Sequence, residues 1–213
     1  EDEAILNHNR LINGSLKNPI ITHFFIECMS SSVVKTVGIN LSSTAVRNET
    51  FLNLNGSGCF VTVAGLGIGS SKNSICDNTV FILHRGHDSK SRQIIKNVLS
   101  KGSKGVFQGK IFVESEAQKT DGYQMSNGLL LDEESDFLVK PELEIYADDV
   151  VCSHGSISGS IDKEHLFYLR SRGIAEKIAQ KILIEAYLEE VITEIEDLQF
   201  SQLVRDEIQE VLN

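Results

Sequence analysis

The sequence predicts a mainly β protein that ends in a small α-helical module. From about residue 20 to residue 160 the apolar residues recur at every second position, which is the period of a β-strand. Gly, Asn and Ser separate these segments, and no proline occurs between Pro19 and Pro141. After Ile161 the period becomes helical. The chain is therefore expected to form an all-β body over 20–160 and helices over 161–213.

The β body places its apolar residues on one parity, so that each set points to one face of its strand. The sets are Ile20, Phe24, Ile26 and Cys28; Cys59, Val61 and Val63; Phe107, Ile111 and Val113; and Leu143, Ile145 and Ala147. The one short helix candidate in this region is SRQIIKNVL, residues 91–99. Many short strands at irregular spacing fit a sandwich, a barrel or a parallel β-helix. A search for a repeat of about 20 to 30 residues finds only a loose recurrence, so these three architectures stay open.

The C-terminal segment predicts three helices. Asp162 is a suitable N-cap for KEHLFYLRSR, and Gly173 suits the position just after that helix. The second helix has an apolar stripe made of two rows, which are Ile174, Ile178, Ile182 and Ala186, and Ala179, Leu183, Tyr187 and Val191. The third helix, SQLVRDEIQEVL, repeats the pattern. The module would either cap the open end of a β stack or dock a partner, and capping is favoured because amphipathic helices usually bury their stripe within their own chain.

Composition and charge exclude several classes of protein. The 213 residues are 41% hydrophobic, and the formal net charge is -10 with a sequence pI near 5.1. Nucleic-acid binding relies on Lys and Arg that displace counterions from phosphates, so this acidic chain is not expected to bind nucleic acid. No apolar run reaches the roughly 20 residues that span a bilayer, so no membrane segment is expected.

The start of the chain and its cysteines indicate the compartment. The segment EDEAILNHNR has neither the basic nor the apolar region of a signal peptide, which favours the cytoplasm. Cys28, Cys59, Cys76 and Cys152 form no C-x-x-C pair, so free thiols are expected rather than a disulfide framework or a preformed zinc site. The first residue is Glu rather than Met, which suggests a piece of a longer protein. We interpret residues 1–19 as an N-terminal stub.

The segment DDVVCSHGSISG contains the strongest candidate site. Residues i and i+2 of a strand project to the same face, about 6.5 to 7 Å apart, so Cys152 and His154 would stand side by side. Thiolate and imidazole together suit a soft metal such as iron, zinc or copper, with the remaining ligands supplied from elsewhere. On the residues alone, a buried thiol beside a hydrogen-bonded imidazole is the more common outcome.

The other candidate sites are weaker. His84 and His87 are three residues apart but lie in LHRGHDSKSR, for which a solvated loop is expected. Gly65, Gly67 and Gly69 are followed by neither the Lys-Ser/Thr of a P-loop nor an amphipathic helix, so turn and close-packing roles are expected. The adjacent Asp148 and Asp149 would face opposite sides of a strand. Asp149, Glu114, Glu116 and Asp121 would have to pair across strands to act as a catalytic carboxylate pair. No sequence feature supports enzymatic activity.

The segment KPELEIYADDVVCSHGSISGSIDKEHLFYLRSRGI, residues 140–174, closely resembles the C-terminal signature of SufD-type sequences of the SufB/SufD family. The segments SRQIIKNVLSKGSKGVFQGKIFV and AQKTDGYQMSNGLLL are similar to the same family, in the same order and at fitting distances. This family belongs to the SufBCD complex of iron-sulfur cluster assembly. The resemblance covers residues 79–174 specifically and the earlier strands more diffusely.

The resemblance implies an architecture and a set of partners. The family fold is a right-handed parallel β-helix followed by a small C-terminal helical module. The β-helix is expected to pair with a SufB-type subunit, and the helices of 161–213 are expected to dock a SufC-type ATPase. When the SufB-type subunit is absent, a homodimer is expected. The implied function is that of a non-enzymatic scaffold.

The resemblance also implies a role for the Cys-x-His pair. His154 corresponds to the histidine to which the family gives functional weight at the SufB interface, and Cys152 corresponds to the neighbouring cysteine. The pair would be half of a metal site that a second chain completes. It would hold a transient iron-sulfur cluster or iron shared with the SufB-type subunit, and the chain would have no cofactor of its own. The competing hypothesis is a β-helix enzyme acting on acidic polysaccharide, which the acidic charge and the absence of Trp disfavour.

Overall fold

The protein is a parallel β-solenoid with three C-terminal helices. The computed structural model describes residues 1–14, 18–42 and 44–213. Its strands are β1 Ile5–Gly14, β2 Ile20–Cys28, β3 Val33–Ser42, β4 Ala45–Leu54, β5 Phe60–Gly69, β6 Ile75–His84, β7 Lys90–Leu99, β8 Lys104–Val113, β9 Thr120–Leu130, β10 Asp136–Ile145 and β11 Val150–Gly159. Its helices are α1 Lys163–Ser171, α2 Glu176–Ile192 and α3 Leu198–Val211.

The strands alternate between two parallel sheets. The odd-numbered strands form a six-stranded sheet in the order β1-β3-β5-β7-β9-β11, and the even-numbered strands form a five-stranded sheet in the order β10-β8-β6-β4-β2. The chain therefore climbs one coil for every two strands, and every neighbour in a sheet comes from the next coil. This arrangement confirms the parallel β-helix among the three architectures that periodicity left open.

The length of one coil varies along the chain. Val33 pairs with Phe60, which is 27 residues later, whereas Lys90 pairs with Asp121, which is 31 residues later. A sequence repeat is detected when equivalent residues of successive coils are separated by a constant number of positions. Here that number varies from coil to coil, so the sequence shows no sharp period. The structural repeat is thus real although the sequence shows only a loose recurrence.

The inward parity of the strands fills the solenoid with apolar side chains. Leu52, Val61, Ile82 and Phe107 are fully buried in one central cluster. The predicted inward set Cys59, Val61 and Val63 lies in this cluster. Ile111 and Val113 lie in a second cluster, and Ile145 of the last predicted set is exposed instead. Burial of such side chains is the main stabilising contribution to a fold of this kind.

The predicted helix over 91–99 is wrong, because these residues belong to β7. This strand is buried on both faces: Ile95 and Leu99 point into the solenoid, while Val98 packs under the helices and Ile94 lies against the same outer cluster. Apolar residues on both parities remove the alternation and resemble a helical pattern, which is the usual signature of a strand with two covered faces.

The predicted start of the β body at residue 20 comes too late. Strand β1 lies within the supposed stub of residues 1–19 and pairs in register with β3. Its alternation is hidden because polar side chains take inward positions: His8 Nδ1 lies 2.9 Å from Thr36 Oγ1, and Arg10 donates to Asn48 Oδ1 at 2.8 Å. The solenoid therefore begins at Ile5.

Two stacked glycines allow neighbouring coils to approach at one corner. A Cβ atom on Gly86 would lie 2.0 Å from the carbonyl oxygen of Gly56, and one on Gly56 would lie 2.0 Å from the backbone nitrogen of Ser30. Any larger residue would collide with backbone, so these positions require glycine. The close stack holds successive strands in register on both sides of the corner.

Helices α2 and α3 lie on the outer face of the six-stranded sheet, and α1 contacts α2. The side chain of Asp162 caps α1 by accepting from the backbone N–H groups of Glu164 and His165, and Gly173 follows with a φ of 85°, so both predicted helix signals are confirmed. Helices α2 and α3 pack against β3, β5 and β7 in one apolar cluster. They cover the flank of the solenoid rather than its open end, so the expectation of an end cap is not met.

A buried lysine fastens α2 to the sheet. Lys96 of β7 donates to the carbonyl oxygen of Tyr187 at 2.9 Å, forms an ion pair with Glu190, and has its Nζ 4.5 Å from the centre of the Tyr187 ring. The hydroxyl of Tyr187 donates to the carbonyl oxygen of Asn127 in β9 at 2.7 Å. Helix α2 is thereby tied to two strands of the sheet. No helix in the described part of the chain is long and apolar enough to span a membrane.

Candidate metal centre on the terminal strand

Strand β11 is the last strand of the six-stranded sheet and has one open edge. It pairs with β9 over its full length, and the described residues provide no strand on its other side. Backbone N–H and C=O groups along that edge are free to pair with another chain. Val151 and Ile157 of this strand are 72% and 61% exposed, so the edge also carries apolar side chains.

Cys152 and His154 share the inward face of β11. In a parallel ladder, paired residues point to the same side, and these two residues pair with Gly122 and Gln124, which are both buried. Cys152 is half-buried beside Ile111, whereas His154 is exposed because no further coil covers it. The predicted same-face arrangement is therefore present, with one donor partly inside the solenoid and the other at its open end.

Cys152 differs from the other three cysteines. Burial raises the pKa of the Cys152 thiol, although the backbone N–H of Gly122 opposes this in part. Cys28 and Cys76 are fully enclosed, and burial raises the pKa of each to about 12. Only Cys152 is accessible enough to bind a metal, and it is a protonated thiol at neutral pH until a metal displaces the proton.

Cys152 and His154 carry two side-chain atoms of types that bind metals, a sulfur and an imidazole nitrogen. Sulfur and imidazole nitrogen are the ligand types that iron-sulfur centres use, so the residues fit iron chemistry. The described residues contain no group of three or more His, Cys, Asp and Glu side chains placed to hold a metal ion. A four-coordinate centre here would need further ligands from another molecule.

His84 and His87 have different environments, and the solvated-loop interpretation is right for only one of them. His87 is exposed, with Nδ1 2.5 Å from Asp88 Oδ2. His84 is the last residue of β6 and is fully buried, with Nε2 2.9 Å from Ser91 Oγ. His84 is buried rather than solvated because β6 continues to this residue before the chain turns at Gly86, and His84 occupies an inward-facing position of the strand.

The remaining sequence candidates have packing roles. Gly67 lies in β5, where a Cβ would be 2.4 Å from Asn97 Oδ1, so the close-packing role is confirmed and the turn role is not. Asp121 pairs with Arg92 at 2.6 Å, and Glu114 pairs with Arg85 at 3.1 Å. Because these carboxylates are engaged with guanidinium groups, the polysaccharide-enzyme hypothesis gains no support.

Sequence reasoning missed a set of polar side chains inside the solenoid. Gln93, Asn97 and Gln124 are buried, and both side-chain polar atoms of each have no hydrogen-bond partner in the described part of the chain. The signal in the sequence is a polar residue at the inward parity of a strand, such as Gln93 between Ser91 and Ile95. That signal becomes visible only when the strand and its inward face are known.

The fold and the candidate site together define a class of protein. It is a parallel β-solenoid whose open terminal strand carries a sulfur donor and a nitrogen donor. The chain belongs to the SufBD family: the family described as "SUF system FeS cluster assembly, SufBD core domain" matches residues 1–187. That family has a role in iron-sulfur cluster assembly.

Individual relatives agree with the family match. The iron-sulfur cluster assembly protein SufD of Escherichia coli (strain K12) is 35% identical over 200 residues, covering 92% of this chain and 47% of the relative. SufD of Bacillus subtilis (strain 168) is 30% identical over 149 residues, covering 70% and 34%. "Protein ABCI7, chloroplastic" of Arabidopsis thaliana is 26% identical over 213 residues, covering 100% and 45%. The chain spans less than half the length of these three relatives.

The buried His84 predicts a specific dependence of stability on pH. Burial lowers the pKa of His84 from 6.5 to about 4. Below pH 6.5 the unfolded chain binds a proton at this site that the folded chain does not bind, so stability falls as the pH falls towards 4. Between pH 6.5 and pH 5, protonation of His84 in the unfolded chain should lower the unfolding free energy of the wild type by about 2 kcal/mol. His84→Gln should lack this decrease when urea unfolding is measured at both pH values.

The range above about pH 7.5 provides the control for this measurement. There the His84 imidazole is neutral in both the folded and the unfolded chain, so wild type and His84→Gln should show the same pH dependence of the unfolding free energy. An unchanged slope below pH 6.5 in His84→Gln would show that His84 is not a buried neutral imidazole.

Proposed function

We propose that this chain is a non-enzymatic scaffold subunit for iron-sulfur cluster assembly, in which Cys152 and His154 contribute part of the ligand set for iron or a nascent cluster. The observation that supports this most strongly is the placement of both donors on the inward face of an open terminal strand. A site that ends at an unpaired edge is suited to completion by another subunit. The iron or cluster would be cargo that the scaffold binds and then releases.

The partner at the open end would be a SufB-type subunit. Unpaired strand edges bind extended segments through main-chain hydrogen bonds, and apolar side chains on alternate positions add specificity. The exposed Val151 and Ile157 on β11 fit such a contact. When the SufB-type subunit is absent, the same edge would pair with a second copy of this chain.

The partner on the helical flank would be a SufC-type ATPase. Helix α1 has no buried residue, and it exposes Phe167 by 73% and Tyr168 by 56%. Aromatic side chains at such exposure are typical anchors of protein interfaces. The predicted row of Ile178 and Ile182 on α2 is also turned outward, since α2 buries Ala179, Leu188 and Val191 instead.

The two proposed interfaces are mechanically connected. Lys96 and Tyr187 tie α2 to β7 and β9, and β9 is the strand that pairs with β11. An ATPase that binds two arrangements of the scaffold with different affinity would shift the equilibrium between them. A movement of α2 would reach Cys152 and His154 on β11 through β9, the neighbouring strand to which Tyr187 is bonded.

The donor pair suits a site that must release its cargo. A neutral imidazole is a replaceable ligand that competes with protons, and a thiol with a raised pKa binds metal only by losing its proton. Because the Cys152 thiol must lose its proton, metal binding there would be reversible and dependent on pH. A scaffold needs this property, whereas a permanent cofactor site does not.

Substitution of His154 tests the role in cluster assembly. His154→Ala should leave folding and subunit assembly unchanged, because the side chain is exposed and has no hydrogen-bond partner among the described residues. It should lower cluster formation in cells by at least about tenfold, as measured by iron and acid-labile sulfide in the purified complex. His87→Ala, which removes an exposed imidazole at a distant corner, is the matched control. Equal cluster yield in both variants would contradict the proposed role.

Substitutions on α1 test docking of the ATPase. Phe167→Ala together with Tyr168→Ala should weaken binding of a cognate SufC-type ATPase by about thirtyfold or more in calorimetric titration, because the loss of one aromatic anchor that contributes about 2 kcal/mol already has this effect. Phe25→Ala removes an aromatic ring of 68% exposure from the opposite sheet and should leave the affinity unchanged. If the double variant binds the ATPase as tightly as Phe25→Ala does, α1 is not the docking surface.

A further inference from the structure

A column of three polar residues runs along the inside of the solenoid to its open end. Gln93 of β7 pairs with Gln124 of β9, and Gln124 pairs with His154 of β11. Because neighbouring strands are about 4.8 Å apart, the backbone of Gln124 lies one strand spacing from that of His154. Gln93 lies two spacings away, at roughly 10 Å. The column ends at Val63 of β5, which is apolar.

Gln124 is buried without a hydrogen-bond partner. Its side chain is 1% exposed, and neither Nε2 nor Oε1 has a partner in the described part of the chain. A buried amide in this condition destabilises a fold relative to an apolar side chain of the same size. The residue next to it in the column is His154, so the nearest inward-facing group towards the open end is the imidazole.

Gln93 has the same chemistry but lies one strand farther from His154. It is also buried with both amide atoms unpartnered, yet its Oε1 lies 3.0 Å from the place that a Cβ on Gly109 would occupy. Its amide is therefore directed across the solenoid towards β8. Gln93 thus provides a matched comparison for Gln124 within one protein.

We propose that Gln124 is a positioning residue for His154: its amide hydrogen-bonds the imidazole nitrogen that does not bind the metal. This inference rests on the proposed function, because it assumes that His154 is a metal ligand. A metal-bound histidine commonly donates its second ring N–H to a nearby acceptor, which fixes the tautomer and the ring orientation. The Oε1 atom of Gln124 supplies that acceptor from inside the solenoid, and rotation of the imidazole towards the interior satisfies both groups.

Co²⁺ titration of the whole chain tests this inference. The probe is the thiolate-to-cobalt charge-transfer absorption, which reports Cys152 because Cys28, Cys59 and Cys76 are buried. Gln124→Met keeps the volume and removes the amide, and it should weaken Co²⁺ binding by about tenfold or more. Gln93→Met should change the affinity by less than about twofold. Gln124→Glu retains an acceptor oxygen and should restore binding.

Thermal unfolding of the same variants separates positioning from packing. Gln124→Met removes an unsatisfied polar group, so its melting temperature should equal or exceed that of the wild type even though its Co²⁺ affinity falls. A purely structural role would lower the melting temperature and would not produce this split. Equal Co²⁺ affinity in Gln124→Met and Gln93→Met overturns the inference.

The His154→Ala variant distinguishes the two proposals. If His154→Ala loses Co²⁺ binding and Gln124→Met retains it, His154 is a ligand and the positioning role of Gln124 is wrong. If His154→Ala binds Co²⁺ as the wild type does, the ligand role of His154 is wrong and the inference about Gln124 fails with it.

Discussion

In-register stacking of parallel strands from successive coils is the constraint on which the rest of this structure depends. The ladder brings together residues that are 26 to 32 positions apart, as in the pairs Ile20–Val46 and Lys104–Asp136, and places their side chains on one face at a spacing of about 4.8 Å. It requires glycine where corners meet, as at Gly56 and Gly86, and it aligns Gln93, Gln124 and His154 into one inward column. Among the described residues, β11 is the last strand of this ladder, and its outer edge has no hydrogen-bonded neighbour. Cys152 and His154 lie on that strand.

The positions of the two proposed interfaces follow from the same geometry. The solenoid has an end, where β11 is open, and a flank, where α2 and α3 cover β3, β5 and β7. Helix α1 and the outward row of α2 leave apolar side chains on that flank. Lys96 and Tyr187 connect the flank to the sheet, so a force applied to the helices acts on strands adjacent to the donor pair. The proposed scaffold, with cargo at its end and an ATPase at its side, would need such a connection.

Much of this architecture is predictable from local sequence, because alternation and helix caps are local signals. The inward set Cys59, Val61 and Val63, the cap at Asp162 and the shared face of Cys152 and His154 are examples. Other features depend on contacts between coils. Strand β7 has two covered faces and loses its alternation, β1 conceals its alternation with the inward His8 and Arg10, and His84 is buried where a loop was expected. Gln124 could not be identified in advance, since its relation to His154 exists only through the register of strands 30 residues apart.

The central claim is that β11 is an edge completed by a partner, and hydrogen-deuterium exchange tests it most directly. Amide exchange would be measured across Val150–Gly159 in the isolated chain and after addition of a SufB-type subunit. The account predicts that alternate amides of β11, those pointing away from β9, become protected when the complex forms, because a neighbouring strand supplies their missing acceptors. A complex that forms while these amides exchange as fast as before would contradict it.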